Sequence, residues 1–117
     1  MSVFQVKRED KGDVTVLYLS GFLDAHTVPQ FENALQQVLD EKRYKIVVNF
    51  RDLEYISSAG LGVFMGFIEE VRSNDGDIKL SNMSQRVYKV FDLLGFPALF
   101  EIFETEEEAI DKFKSTD

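Results

Sequence analysis

The stretch Lys45-Ile46-Val47-Val48-Asn49-Phe50 constrains the fold more than any other. It is short and continuously apolar at its centre, as expected of a strand covered on both faces, and such strands lie in the middle of parallel sheets flanked by helices. The pattern around it agrees. Upstream, Phe31, Leu35, Val38 and Leu39 share one helical stripe behind the start signal Thr27-Val28-Pro29-Gln30, where Thr27 can cap, Pro29 sits in the first turn and Gln30 can reach back. Downstream, Leu61, Phe64, Met65, Ile68 and Val71 repeat at helical spacing, which predicts a helix from about Ala59 to Arg72 ended by Asn74-Asp75-Gly76-Asp77.

The rest of the chain continues this alternation. Val3 to Lys7 and Val14 to Leu19 read as two strands of a hairpin about the turn Asp10-Lys11-Gly12-Asp13, followed by a loop from Ser20 to His26. Ile78-Lys79-Leu80 reads as a strand, Val87, Val90, Phe91 and Leu94 as the stripe of a third helix stopped by Gly95 and Pro97, and Ala98 to Phe103 as a short strand. Thr105-Glu106-Glu107-Glu108 is a capping box opening a last helix through Phe113. The expected class is therefore α/β. An N-terminal antiparallel hairpin leads into right-handed βαβ crossovers, giving a mixed β-sheet packed with about four α-helices. At 117 residues and 44% hydrophobic content the chain suits a single domain, 1–117, that buries one core without metals or crosslinks.

Composition removes several function classes. With no cysteine there are no disulfides, thiolate nucleophiles or thiolate zinc sites, which fits a reducing compartment. Met1 is followed by the alternating SVFQVKRED rather than a basic stretch and an apolar core, and no apolar run is long enough to cross a bilayer, so a cytoplasmic protein without membrane contact is expected. A formal net charge of −8 opposes attraction to phosphate backbones and argues against a nucleic-acid partner.

Catalysis finds little support. His26, the single histidine, stands beside Asp24, and Ser58 could be their nucleophile only if a base lay in hydrogen-bond reach. The strand-to-helix nucleophile elbow wants glycine two residues before its serine, where Ile56 stands. A Ser58-His26 hydrolase is the weakest reading, and Asp24 is better taken as a turn former. The clusters Glu69-Glu70 and Glu106 to Glu108 read as solvated helix faces and first-turn charges. Gly60, Gly62 and Gly66 give GLGVFMG, one residue too long for the dinucleotide fingerprint and without the Lys-Ser/Thr end of a P-loop. No cofactor or metal is expected.

A helical wheel gives these glycines another use. It places Ala59, Gly62, Val63, Gly66, Glu70 and Ser73 opposite the stripe of Leu61, Phe64, Met65, Ile68 and Val71, leaving an outward face nearly bare of side chains. Glycine inside a helix costs about 0.8–1 kcal/mol relative to alanine, and close approach of another backbone would account for it. Ser58, just before Ala59, is expected at the N-cap, where its hydroxyl can accept from the amide of Gly60 or Leu61. The same position suits phosphorylation, because free amides and the helix dipole tolerate added negative charge there.

The segment from Asp52-Leu53 through Ser58-Ala59-Gly60-Leu61-Gly62 resembles the D-S-x-G-L-G segment of anti-sigma factor antagonists, the bacterial STAS domains, and Gly21-Phe22-Leu23-Asp24 resembles their G-x-L-D turn. The order of elements follows the family along essentially the whole chain. The resemblance implies a domain that binds an anti-sigma factor, itself a protein serine kinase of the histidine-kinase-like ATPase type, until that kinase phosphorylates it; a serine phosphatase restores binding. Carried over by position, the phosphorylated serine is Ser58, with Ser57 as the second candidate hydroxyl because it stands where the family has aspartate. Asp24 matches the acidic turn residue near the kinase. The expected contact set is thus Asp24, Ser57, Ser58, Ala59, Gly60, Gly62, Val63 and Gly66. A constitutive scaffold or transporter-associated subunit, with Ser58 only a cap, is the alternative.

Overall fold

In the computed structural model, which describes residues 3–114, the opening hairpin and the central strand are both longer than expected. Strand β1 (Gln5–Lys11) runs antiparallel to β2 (Val14–Leu23), and Lys11 pairs with Val14. The turn is therefore only Gly12-Asp13, with Gly12 at φ 66° supplying the positive φ that tight hairpin turns demand at their first position. Helix α1 (Val28–Asp40), β3 (Lys45–Ile56), α2 (Ser58–Ser73), β4 (Asp77–Ser81), α3 (Gln85–Leu93), β5 (Ile102–Phe103) and α4 (Glu106–Lys114) follow. One five-stranded sheet in the order β1-β2-β3-β4-β5 results, with every pair after the hairpin parallel.

Residues 20–23, expected in a loop, belong to β2. Gly21 does not end the strand; it lets another segment cross it, for a Cβ there would lie 2.7 Å from the Val3 carbonyl oxygen, and φ is 85°. Ladder irregularities between Tyr18 and Ser20 and between Gly21 and Phe22 mark a bulge rather than a terminus. Beyond it β2 stays paired with the second half of β3, to Leu23 opposite Ile56. The segment expected as a strand from Ala98 is instead mostly a 3₁₀ turn, Phe96–Ala98. The amides of Leu99 and Phe100 both donate to the Phe96 carbonyl, which leaves only Ile102 and Phe103 for the sheet.

Strand β3 is the middle strand, and Ile46, Val47 and Val48 are all fully buried, as its apolar run requires. Ile46, Val48 and Phe50 face the larger core beneath α1, α2 and α3, whereas Val47 faces a smaller one beneath α4. Phe64 of α2 sits at the hub of the larger core. Its ring lies 5.3 Å from Phe31, 5.8 Å from Phe50, and 6.0 Å from each of Phe91 and Phe100. Leu94, expected on the third buried stripe, is exposed because α3 has ended at Leu93.

The Thr105 capping box is formed reciprocally: the Glu108 amide donates to Thr105 Oγ1 and the Thr105 amide to Glu108 Oε1. Glu106, however, is not a solvated first-turn charge. It is buried, its carboxylate accepting from Lys11 Nζ, Asn49 Nδ2 (3.0 Å) and the Tyr18 hydroxyl (3.1 Å). Burial alone would push its pKa up, but these three donors outweigh it and hold the carboxyl below its ordinary value. Burial, with the bond to Glu106, in turn pushes the Tyr18 hydroxyl up to about 12.

The two sheet edges are closed to strand addition by different means. In β1 every residue but the half-buried Val6 is exposed, and five of its seven are charged, in the run Lys7-Arg8-Glu9-Asp10-Lys11. The edge at β5 is two residues long.

Candidate functional site

The C-terminal ends of β2 and β3 lie side by side, and the register brings together residues far apart in the chain. Leu23 pairs with Ile56, and the Ser57 amide donates to the Leu23 carbonyl at 2.9 Å. This places the Asp24 turn beside the Ser57-Ser58 pair.

The two serines divide their roles differently from expectation. Ser57, not Ser58, is the N-cap of α2: its backbone is extended (φ −95°, ψ 172°) and its Oγ accepts from the Gly60 amide at 3.3 Å. Ser58 is the first helical residue. Its side chain is exposed, and its hydroxyl makes no hydrogen bond to the described residues. Strand β3 runs on to Ile56 and the Ser57 amide still bonds Leu23, so the helix starts directly after it at Ser58, one residue before the expected Ala59, and the cap is Ser57. A phosphate on Ser58 would meet the amides of the first turn, which have no intrahelical partner.

Asp24 forms the turn ahead of α1, as its sequence context suggests. Its Oδ1 accepts from the amides of His26 (2.9 Å) and Thr27 (3.3 Å), while the Asp24 amide donates to Thr27 Oγ1 (2.9 Å). The Val28 amide already donates to the Asp24 carbonyl at 2.9 Å. Asp24 and Thr27 thus form a reciprocal box ahead of α1, and Thr27, expected as the cap, makes no side-chain cap bond and donates to the Phe22 carbonyl instead. The Asp24 carboxylate bonds backbone amides rather than the His26 ring, and no hydrogen bond joins His26 to Ser58. A serine–histidine–aspartate relay is not assembled.

Along α2 the exposed residues are Ser58, Ala59, Gly62, Met65, Gly66 and Glu69, with Glu70, Arg72 and Ser73 at the far end. A Cβ added at Gly62 or Gly66 would meet nothing within 4 Å. Three expectations for this helix are corrected. Val63 is buried at 3% exposure, and Met65, expected in the core stripe, is 48% exposed; the buried side is turned because α2 packs against α1, where Phe64 meets Phe31. Gly60 is buried and is a packing glycine, since a Cβ there would approach Leu23 Cγ and Ile56 Cγ1 to 2.9 Å. Val63 and Gly60 therefore cannot present side chains to a visitor.

Two residues of this surface escaped the sequence reading. Phe22 and Tyr55, opposite each other on β2 and β3, are 44% and 47% exposed, with ring centroids 5.8 Å apart. Their signal was available: large aromatics flanking the motif, at strand positions whose inward neighbours Leu23 and Ile56 are already apolar. Such exposed aromatic pairs are what protein interfaces use as anchors. Among the described residues no group of three or more His, Asp or Glu side chains could hold a metal ion, and no helix is long and apolar enough to cross a membrane.

A family model described as the STAS domain matches residues 5–109. The chain belongs to the STAS domain family. Among relatives, it is similar to the anti-sigma-B factor antagonist of Staphylococcus epidermidis, 29% identical over 107 residues that cover 92% of this chain and 96% of the relative. Two solved structures are 30% identical to this STAS domain. One is the anti-sigma factor antagonist SpoIIAA in its unphosphorylated form (TM-score 0.73, covering 97% of this chain and 99% of that one). The other is the Bacillus cell fate determinant SpoIIAA in its phosphorylated form (TM-score 0.71, covering 95% and 99%).

Proposed function

We propose that this STAS domain is an anti-sigma factor antagonist that acts as a non-enzymatic phosphorylation switch in the cytoplasm, with neither nucleic acid nor membrane as partner. In the unmodified state the α2 face of Ala59, Gly62 and Gly66, together with the Asp24 turn and the Phe22-Tyr55 pair, docks on an anti-sigma serine kinase. Phosphorylation of Ser58 ends the contact, and a serine phosphatase restores it. The observation that carries this reading is the division between the serines: Ser57 Oγ is engaged as the helix cap, while the Ser58 hydroxyl stands exposed and unbonded at the head of a helix whose exposed Ala59, Gly62 and Gly66 carry nothing larger than a methyl group. Support also comes from the relatives, named for antagonism of an anti-sigma factor, and from a neighbour solved with and without phosphate.

The magnitudes are compatible. A phosphate adds about −1.5 to −2 charges. A partner site shaped for a hydroxyl would have to bury that charge unpaired, at a cost of several kcal/mol, against a total of about 8 kcal/mol for a micromolar complex. The fold itself is spared, because the phosphate sits outside both cores.

Binding of the Ser58→Ala and Ser58→Asp variants to the anti-sigma kinase of the same organism, with intact-mass analysis after incubation with ATP, tests the reading. Expected are persistent binding by Ser58→Ala, weak binding by Ser58→Asp, and gain of one phosphoryl group by the wild type and by Ser57→Ala but not by Ser58→Ala. Equal affinities of the two Ser58 variants, or an unmodified wild type, would reject the switch.

A further inference from the structure

A second site lies away from the α2 face. Between α3 and the free edge of β5 runs a trough of about 810 Å³, within the range of small-molecule sites, at the carboxyl ends of the parallel strands β4 and β5. Its apolar lining comes from Met83, Ile102 and Phe103, with the partly exposed ring of Tyr88 on the helix wall.

The charged groups around this lining are two of each sign, and the two cations are the ones that stand together on one helix turn. Arg86 and Lys89 stand one turn apart on α3 and border the trough. Neither is in an ion pair with a described residue, although Arg8, Lys11, Arg43, Lys45, Arg72 and Lys79 all are. Lys7, Lys42, Arg51 and Lys114 also stand outside the ion pairs among the described residues; what sets Arg86 and Lys89 apart is that they are neighbours on one helix turn beside an apolar cavity. The strand wall adds a backbone donor. The carbonyls of Glu101 and Phe103 accept from the amides of Leu80 and Asn82, so by ladder alternation the N–H of Ile102 points to the open edge, into the trough. The cations lie in the N-terminal half of α3, where the helix dipole also favours negative charge.

We propose that this trough binds an amphipathic monocarboxylate: the carboxylate held by Arg86 and Lys89, the apolar body laid over Met83, Ile102 and Phe103. Asp92, one turn beyond Lys89, and Glu104, on the strand wall, also line the trough. They confine the excess positive charge to the Arg86–Lys89 turn, which suits a single negative head rather than a polyphosphate. Met83 lets the lining adapt to bodies of different shape.

Titration of the full chain with sodium dodecanoate below its micellar concentration, followed by amide proton–nitrogen correlation spectra, tests this. Saturable shifts are expected at residues 84–89 and 102–104. The Arg86→Gln/Lys89→Gln double variant weakens binding by about tenfold or more, the loss of charge-assisted hydrogen bonds, while Glu104→Gln tightens it. Both cations are exposed, so the spectrum of the double variant stays native elsewhere. Dodecanol, with the same chain and no charge, binds about tenfold weaker or worse. The proposal is overturned if dodecanoate gives no saturable shifts in the trough, if the double variant binds it as the wild type does, if the alcohol binds equally, or if ATP occupies the trough in preference to dodecanoate.

Discussion

Helices α2 and α4 pack on opposite faces of the same sheet, and what holds each one differs in kind. Helix α2 is fixed by apolar rings, by the close approach of Gly60 to Leu23 and Ile56, and by a single neutral cap at Ser57. Helix α4 covers a small core of Val14, Val16, Val47, Ala109 and Phe113, supplemented by one buried carboxylate with three donors from β1, β2 and β3. The difference teaches where charge can change without cost to the fold. Around α2, added charge at Ser58 alters only what the surface offers; beneath α4, lost charge at Glu106 removes part of the structure's own support.

Four measurements probe this contrast, in falling order of expected effect. Glu106→Ala leaves Asn49 without its acceptor, Lys11 without its partner and Tyr18 with only Glu9, and costs about 2 kcal/mol in urea unfolding, whereas Ser58→Ala stays within about 0.5 kcal/mol of wild type. Comparable losses for the two would erase the distinction. Gly60→Ala overpacks against Leu23 and Ile56 and costs about 1–3 kcal/mol. Gly62→Ala, pointing into open space, stabilises by about 0.8–1 kcal/mol and weakens docking of the proposed kinase partner. Ser57→Ala costs about 1 kcal/mol through the lost cap, measured by thermal unfolding.

The smallest effect is set by pH. Because the folded-state pKa of Glu106 lies below its ordinary value, the stability it contributes is complete above about pH 4.3, the unfolded carboxylate value, and is lost as pH falls through the folded value. Amide exchange should therefore accelerate at residues 106–114 in that acid range before it does so at residues 58–66. Simultaneous acceleration would show that α4 has no separate attachment.

Much of this contrast was legible in the sequence, and the gaps share a cause. The β–α alternation, the central position of Lys45 to Phe50, the Thr105 box and the bare positions Gly62 and Gly66 all follow from local patterns of period two or 3.6. What local pattern could not carry was contact between distant segments. The continuation of β2 through Gly21 depends on Val3, the burial of Glu106 depends on Lys11, Tyr18 and Asn49, and the packing role of Gly60 depends on Leu23. The one-residue error between Ser57 and Ser58 arose because two adjacent hydroxyls offer equal caps, and the length of β3 decides between them. Val63 and Met65 exchanged places for a related reason, since Phe31 and its neighbours on α1 determine which flank of α2 turns inward.

The long edge strand β1 carries two bases, two acids and a further base in succession, and the other edge is cut to two residues. Copies of this domain that meet edge to edge bring together charged side chains on one side and almost no strand on the other, and each carries the same net negative charge, so pairing through the sheet is disfavoured.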